Sequence, residues 1–332
     1  MKKNDIEKLQ IDYFQLMDLR VDFAFKLLFT KGDPRLLISL LNAIFANKKI
    51  NRIIKSISIK NPFLDKETDE DKLSILDIRA ALEDGTNILI EMHLHGLNEL
   101  KPKTIRSWAR AFAEELEQGK SYSEQPPTVA IAFVDGAVKP HEETENANKD
   151  KIHRLCMIMD KEDYTVFTDA MELHYINMKA FAKAVNEADS INIDDTGEVK
   201  FAKWLSLITQ KEINNKAIIE DAYKDEEEIF MAVATLVKQG EDKYTRQKYA
   251  RRKDDIQDYT LRMVRAEQDR QTAERERQRA AQLQIEKEQL SRKAEQDRQR
   301  AEKAEAEIAT LREKLAKFEA QAFHGGVEHD NL

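Results

Sequence analysis

The stretch DIRAALEDGTNILIEMHLHG, Asp77 to Gly96, carries both the fold and the chemistry of this chain. Two apolar runs flank Glu83-Asp84-Gly85, a three-residue loop that ends in glycine where a hairpin needs the left-handed conformation. Leu82 then faces Thr86, and counting outward brings Asp77 opposite Glu91. Side chains alternate along a strand, so Glu91, His93 and His95 share one face while Ile88, Ile90, Met92 and Leu94 take the other. Like charges directly opposite one another destabilise a sheet. Two opposed carboxylates therefore point to a bound cation: Mg²⁺ first, with Mn²⁺ or Ca²⁺ as alternatives. Two other readings stay open here. Asp77 can pair with Arg79 or Lys55 on an ordinary polar face, and Glu91, His93 and His95 can form a transition-metal site, because His-x-His on a strand aims both imidazoles the same way.

Around the hairpin, strand-like and helix-like periods alternate. Leu19 to Thr30 reads as a helix, and Gly32-Asp33-Pro34 supplies a turn, an N-cap and a first-turn proline for a second one, Arg35 to Ala46. Strands are expected at Ile53 to Ile59, Leu73 to Leu82, Asn87 to His95, Thr128 to Val134, Ile152 to Met159 and Met171 to Met178. An amphipathic helix is expected over Lys103 to Gln118, and FAKWLSLIT (201–209) and EEEIFMAVATLV (226–237) close the unit as helices. Phe201, Trp204 and Leu205, at helical spacing, read as core. The fold class is α/β, a mixed sheet flanked by helices.

Composition changes near Gly240. Beyond it runs a tract of Ala, Glu, Gln, Arg and Lys with no Gly or Pro until Gly325, which predicts one long helix. Leu290, Ala294, Asp297, Ala301, Ala304, Ile308, Leu311, Leu315, Phe318 and Ala322 alternate four and three apart, the pattern of a coiled-coil seam. Self-association through this helix is expected; the alternative is a lone helix held by charge pairs three or four residues apart. The expected division is 1–240, a catalytic-type domain, 241–324, a charged helix and coiled coil, and 325–332, a flexible tail. At the start of the helix, KYTRQKYARRK (243–253) mixes Lys243, Arg246, Lys248, Arg251 and Arg252 with two tyrosines. It suits a non-specific DNA-holding arm or, alternatively, a solvated face balanced by nearby acids.

The 332 residues allow about two domains. Charged residues make up 35% against 41% hydrophobic, which demands a solvated, charge-rich element. A net charge of -8 confines any nucleic-acid contact to a local patch. One cysteine, Cys156, excludes a disulfide framework and a cysteine zinc site, and it fits a reducing, cytoplasmic setting. The charged N-terminus has no apolar leader core and no long apolar run follows, so neither secretion nor membrane spanning is expected.

VDFAFKLLF (21–29), LLISLLNAIF (36–45), LDIRAALEDG (76–85), ILIEMH (88–93), IRSWARAFAEELEQGKSY (105–122) and MELHYINMKAF (171–181) together resemble the bacterial Rpn-type recombination-promoting nuclease and transposase family of the PD-(D/E)XK superfamily. The resemblance runs from about Asp18 to Val237 and implies a restriction-endonuclease-like core with metal-dependent cleavage of DNA. Asp77 and Glu91 match the metal-binding acids, and the Met92 backbone carbonyl lies where such sites often offer another oxygen. Asp22 and Lys26 match the family's Asp-x-x-Phe-Lys motif and bring a further acid and a cation; the alternative is a helix-capping aspartate and a solvated lysine. Arg106, with Arg110 one turn on, matches a phosphate-holding arginine, and the alternative for Arg106 is a pair with Glu99 or Glu115. His93 departs from the family, which carries Gln, or Lys in the wider superfamily, at that place. Histidine there can act as a base near neutral pH or attract a softer metal. The competing function is a degenerate nuclease core kept as a DNA- or protein-binding module with a helical interaction tail.

Overall fold

The computed structural model describes residues 16–60, 78–94, 97–116, 119, 121–138, 151–188, 190, 198–224 and 226–325. The chain divides into two compact units, Met1–Met263 and Val264–Leu332. In the first, six strands form one mixed sheet in the order β1-β2-β3-β4-β6-β5. They are β1 Ile57–Ile59, β2 Ile78–Leu82, β3 Asn87–His93, β4 Thr128–Val134, β5 His153–Met159 and β6 Val166–Asn177. The helices are α1 Asp22–Lys31, α2 Pro34–Asn47, α3 Leu97–Glu114, α4 Met178–Ala188, α5 Val199–Ile208, α6 Lys216–Lys224, α7 Glu227–Glu241 and α8 Lys243–Gly325.

β2 and β3 pair antiparallel with Ile78 against Ile90 and Ala80 against Ile88. The Leu82 N–H donates to the Thr86 carbonyl and Gly85 has φ +85°, so the loop and register are those the sequence predicts. β3, β4 and β6 run parallel, with Glu91 beside Ala132 and Ala132 beside Tyr175. β4 is buried along its whole length and shows no alternation, as a central strand covered on both faces requires.

Each face of the sheet has its own apolar layer. Ile88, Ile90, Ile131 and Phe133 meet α1, α2, α5 and α7 in the larger layer, where the Phe25 and Phe133 rings lie 5.6 Å apart and Phe201, Trp204 and Leu205 are fully buried. Leu89, Ala130, Ala132 and Tyr175 meet Leu100 and Ala111 of α3 in the smaller one. Glu91 shares this second face, because it is two residues from Leu89 and in register with Ala132.

Several boundaries differ from those expected. α3 begins at Leu97, not Lys103, and contains Pro102 as its sixth residue, where it removes one i→i−4 hydrogen bond of the helix. β1 is confined to three residues, because only Ile57–Ile59 finds a partner strand. β6 starts at Val166, five residues early, carried by its antiparallel pairing with β5. α1 starts at Asp22 after a turn at Leu19 and Arg20. At Gly32 a Cβ would run into the Leu28 carbonyl, so the turn between α1 and α2 demands glycine. The expected strand segment 73–77 and the tail 326–332 lie outside the described residues. The long helix is present over 83 residues, with Arg298–Glu302 and Lys317–Glu313 ion pairs one turn apart.

Phe133→Ala removes a fully buried ring from the larger core and should cost about 3–5 kcal/mol. Urea unfolding followed by circular dichroism reads this as a lower midpoint at unchanged slope.

Candidate active site

Glu91 and His93 leave β3 on the α3 face near its carboxyl end, and both are buried, at 5% and 8% exposure. Their side chains meet: His93 Nε2 lies 2.8 Å from Glu91 Oε2. An ionised carboxylate only accepts, so in this contact the imidazole donates from Nε2. The bond uses one Glu91 oxygen and leaves the other as an acceptor. Burying such a carboxylate is costly unless it is paired, and His93 supplies the partner.

Across the same face, Ala132 separates Glu91 from Tyr175. Burial pushes the Tyr175 hydroxyl up to about 12, with the Glu91 charge contributing in the same direction, so it remains a neutral donor through the physiological range. Sequence reasoning did not single out Tyr175; only the register of β4 and β6 brings it into line with Glu91.

The other predicted residues are spread more widely. Asp77 and His95 lie outside the described residues. Met92 points to the opposite layer, which leaves its backbone carbonyl as the atom in question. Asp22 is the first residue of α1 and not its cap, which is Val21; its carboxylate accepts from Arg252 and from the Phe23 N–H. Lys26, one turn on, is buried at 9% and so is not a solvated lysine. Arg252 thus docks the start of α8 onto α1, and Tyr249 joins it by accepting the Asp18 N–H through its hydroxyl at 2.9 Å. Lys248 sits over the Tyr244 ring at 4.6 Å, while Lys243, Arg246 and Arg251 are exposed. Arg110 pairs with Glu114, and Arg106 is exposed with no ion pair to a described residue. Glu115, offered as its alternative partner, is taken by Lys60 and Arg79. Arg79 pairs with Glu114, the last residue of α3, and with Glu115 just beyond it.

The family model of the PD-(D/E)XK nuclease family transposases matches residues 19–267. The chain belongs to this family. The match covers the sheet, the hairpin and the beginning of α8. No curated protein and no solved structure matches the chain.

PD-(D/E)XK nucleases typically work with divalent metal ions, so the donor set can be tested for fit. Glu91 offers a carboxylate oxygen and His93 a nitrogen, adjacent on one face. Among the described residues no group of three potential ligands occurs, and the second acid expected from the hairpin, Asp77, lies outside them. The His93 nitrogen beside Glu91 is the one that donates to it, so among the described residues the Glu91 carboxylate is the oxygen donor that a cation could use there. A carboxylate oxygen suits Mg²⁺ or Mn²⁺, whereas an imidazole nitrogen suits softer divalent metals.

A second Glu-x-His pair, Glu172 and His174, lies on β6 and faces the other layer. Arg52 holds Glu172 with two hydrogen bonds of 3.0 and 2.9 Å, His174 Nδ1 lies 2.9 Å from His153 Nε2, and Asn47 lies 2.5 Å from His153 Nδ1. Burial tends to raise the Glu172 pKa, but hydrogen bonds from His174 and Arg52 outweigh it and hold Glu172 ionised. Burial, reinforced by mutual repulsion and by Lys48 and Lys151, keeps His153 neutral; burial likewise lowers His174 despite the pull of Glu172. This chain ties α2 to β5 and β6.

Both folded-state values lie below that of a free imidazole, near 6.5, so the unfolded chain takes up protons that the folded one refuses as pH falls below that point. The stabilisation is complete above pH 7 and is lost toward pH 5, by up to about 1.4 kcal/mol per pH unit for each imidazole. Urea unfolding at pH 7.5 and 5.5 should show the drop, and His153→Gln should reduce it; equal stability at both values would contradict it.

Proposed function

We propose that the protein is a metal-dependent endonuclease that hydrolyses phosphodiester bonds of DNA. The observation that carries this reading is the buried Glu91–His93 pair on the second strand of the β2–β3 hairpin. Asp77, Glu91 and the Met92 carbonyl are the groups that would hold Mg²⁺ or Mn²⁺. A bound cation of this kind lowers the pKa of water and offsets charge gathering on phosphate oxygens.

Glu91 and His93 also act on each other. Glu91 fixes the imidazole by accepting from Nε2, which aims the Nδ1 lone pair as the atom that receives a proton from the attacking water. A carboxylate orienting a histidine raises its basicity and selects its tautomer. His93 would thereby serve in the place where the wider superfamily uses lysine. Asp22 would contribute through Arg252 and Lys26 by fixing the approach of α1, and exposed Arg106, Lys243, Arg246 and Arg251 would contact DNA phosphates nonspecifically.

We also assign the exposed seam of α8 to a second copy of the chain, so that two catalytic units act as a dimer. Leu290, Ile308, Leu311, Leu315 and Phe318 are 49–75% exposed in the single chain and recur at the four-and-three spacing that only a partner helix can bury. Light scattering should give twice the monomer mass, and Leu311→Asp with Leu315→Asp should give the monomer.

One observation favours the second reading, a binding module without catalysis: His93 occupies a Glu91 oxygen that a fully ligated cation would compete for. Plasmid nicking decides between the two. We expect nicking in Mg²⁺ or Mn²⁺ and none in EDTA, with Asp77→Asn and Glu91→Gln each lowering the rate by more than about 10²-fold and His93→Gln lowering it by about 10²-fold. DNA binding without nicking under any metal would support the module.

A further inference from the structure

The first turns of α8 are seated on the unit that carries the sheet. Thr245, Tyr249, Arg252, Ile256, Thr260 and Met263 are half-buried and recur three or four residues apart, which places them on one face of the helix. Beyond Met263 every described side chain of α8 is exposed. The first compact unit closes at the same residue, and the family match reaches residue 267, so this stretch goes with the sheet although the composition changes near Gly240.

Two contacts fasten this face to the start of α1. The Tyr249 hydroxyl accepts the Asp18 N–H in the turn before the helix, and the Tyr249 ring packs against the larger apolar layer. Arg252 grips Asp22 in the first turn of α1: Nε donates to both carboxylate oxygens, at 2.8 and 2.9 Å, Nη2 donates to Oδ2, and Oδ1 also accepts the Phe23 N–H at 2.8 Å. Both oxygens of Asp22 are thus engaged within the protein, and the two side chains are only 12% and 23% exposed for Asp22 and Arg252. Removing either partner strands the other charge in a partly buried place. Three residues after Asp22, Phe25 packs on Phe133 of β4, the strand beside Glu91 and His93. What fixes the start of α1 therefore fixes the support behind the site.

We propose that the start of α8 is a buttress of the active site, in which Arg252 and Tyr249 are positioning residues that hold α1, and Asp22 is the anchor they hold and not an acid that meets metal or DNA. The positioning role rests on the nuclease reading; the anchorage does not. The guanidinium suits this task because its planar fork meets both oxygens of one carboxylate with charge-assisted hydrogen bonds. The same engagement takes Arg252 out of the set of cations that reach for phosphate, and it makes the first turns of α8 part of the catalytic unit.

Charge reversal tests the proposal in the full-length protein. Asp22→Arg and Arg252→Glu should each lower the melting temperature and slow plasmid nicking about tenfold or more, because a small displacement behind a site is enough to misalign it. Combined in one chain, the two changes should bring both measurements back toward wild type, since an ion pair needs opposite charges and not a particular order of them. Arg252→Lys, which keeps the charge without the fork, should lose less than Arg252→Glu. A double variant as impaired as either single one would overturn the buttress, and a melting temperature that recovers while nicking does not would return Asp22 to a catalytic role. Fluorescence anisotropy with a labelled 20-base-pair duplex in EDTA, from 50 to 200 mM NaCl, separates positioning from DNA contact. Arg252→Gln should leave the slope of log affinity against log salt unchanged, and a slope shallower by about 0.9 would make Arg252 a phosphate contact and overturn the proposal. A wild type that nicks in no metal would overturn the nuclease reading and the positioning role together, and the melts alone would then decide the anchorage.

Discussion

A carboxylate buried in a sheet must be neutralised by something, and in this chain that requirement organises the whole α3 face. Glu91 is 5% exposed, and His93 two residues along the same strand gives it a hydrogen bond of 2.8 Å. An ionised group left alone there would cost several kcal/mol. The strand that carries it has to be stiff, and it is: β3 is paired on both sides, antiparallel to β2 and parallel to the fully buried β4. The larger apolar layer behind it, with Phe25, Phe133 and Trp204, prevents the hairpin from slipping by a residue, a shift that would exchange the polar and apolar faces.

The two Glu-x-His pairs solve the same problem differently. Glu172 is neutralised by Arg52, and its histidine passes the hydrogen bond on to a second histidine and Asn47 within the larger layer. Its valences are used within the protein, so it acts as a structural tie between α2 and the far edge of the sheet. Among the described residues Glu91 bonds to His93 alone, through one of its two oxygens. The proposed difference in role between the two pairs rests on how many hydrogen-bond partners each carboxylate has among the described residues.

Much of this was legible in the sequence wherever the information was local. The Glu83-Asp84-Gly85 loop and period-two alternation specify the register of β2 and β3, and with it the shared face of Glu91 and His93. The long helix follows from composition, and β4 from an unbroken apolar run. What the sequence conceals is contact across distance: Arg252 reaches Asp22 over 230 residues, and Arg52 reaches Glu172 over 120. A basic segment with tyrosines reads the same whether it holds DNA or docks onto α1, and Arg252 and Tyr249 do the latter. Tyr175 escaped notice because its relation to Glu91 is lateral, through strand order. The helices α4 and α6 were missed because the first follows its strand without a break and the second is only nine residues long.

The most direct measurement is isothermal titration of Mn²⁺ into the full-length protein beside Glu91→Gln. A single saturable site in the wild type that is lost in the variant is the result predicted for a carboxylate kept buried to hold a cation. Equal binding in both proteins, or none in the wild type, would contradict it and return Glu91 and His93 to the role that Glu172 and His174 play on the other face.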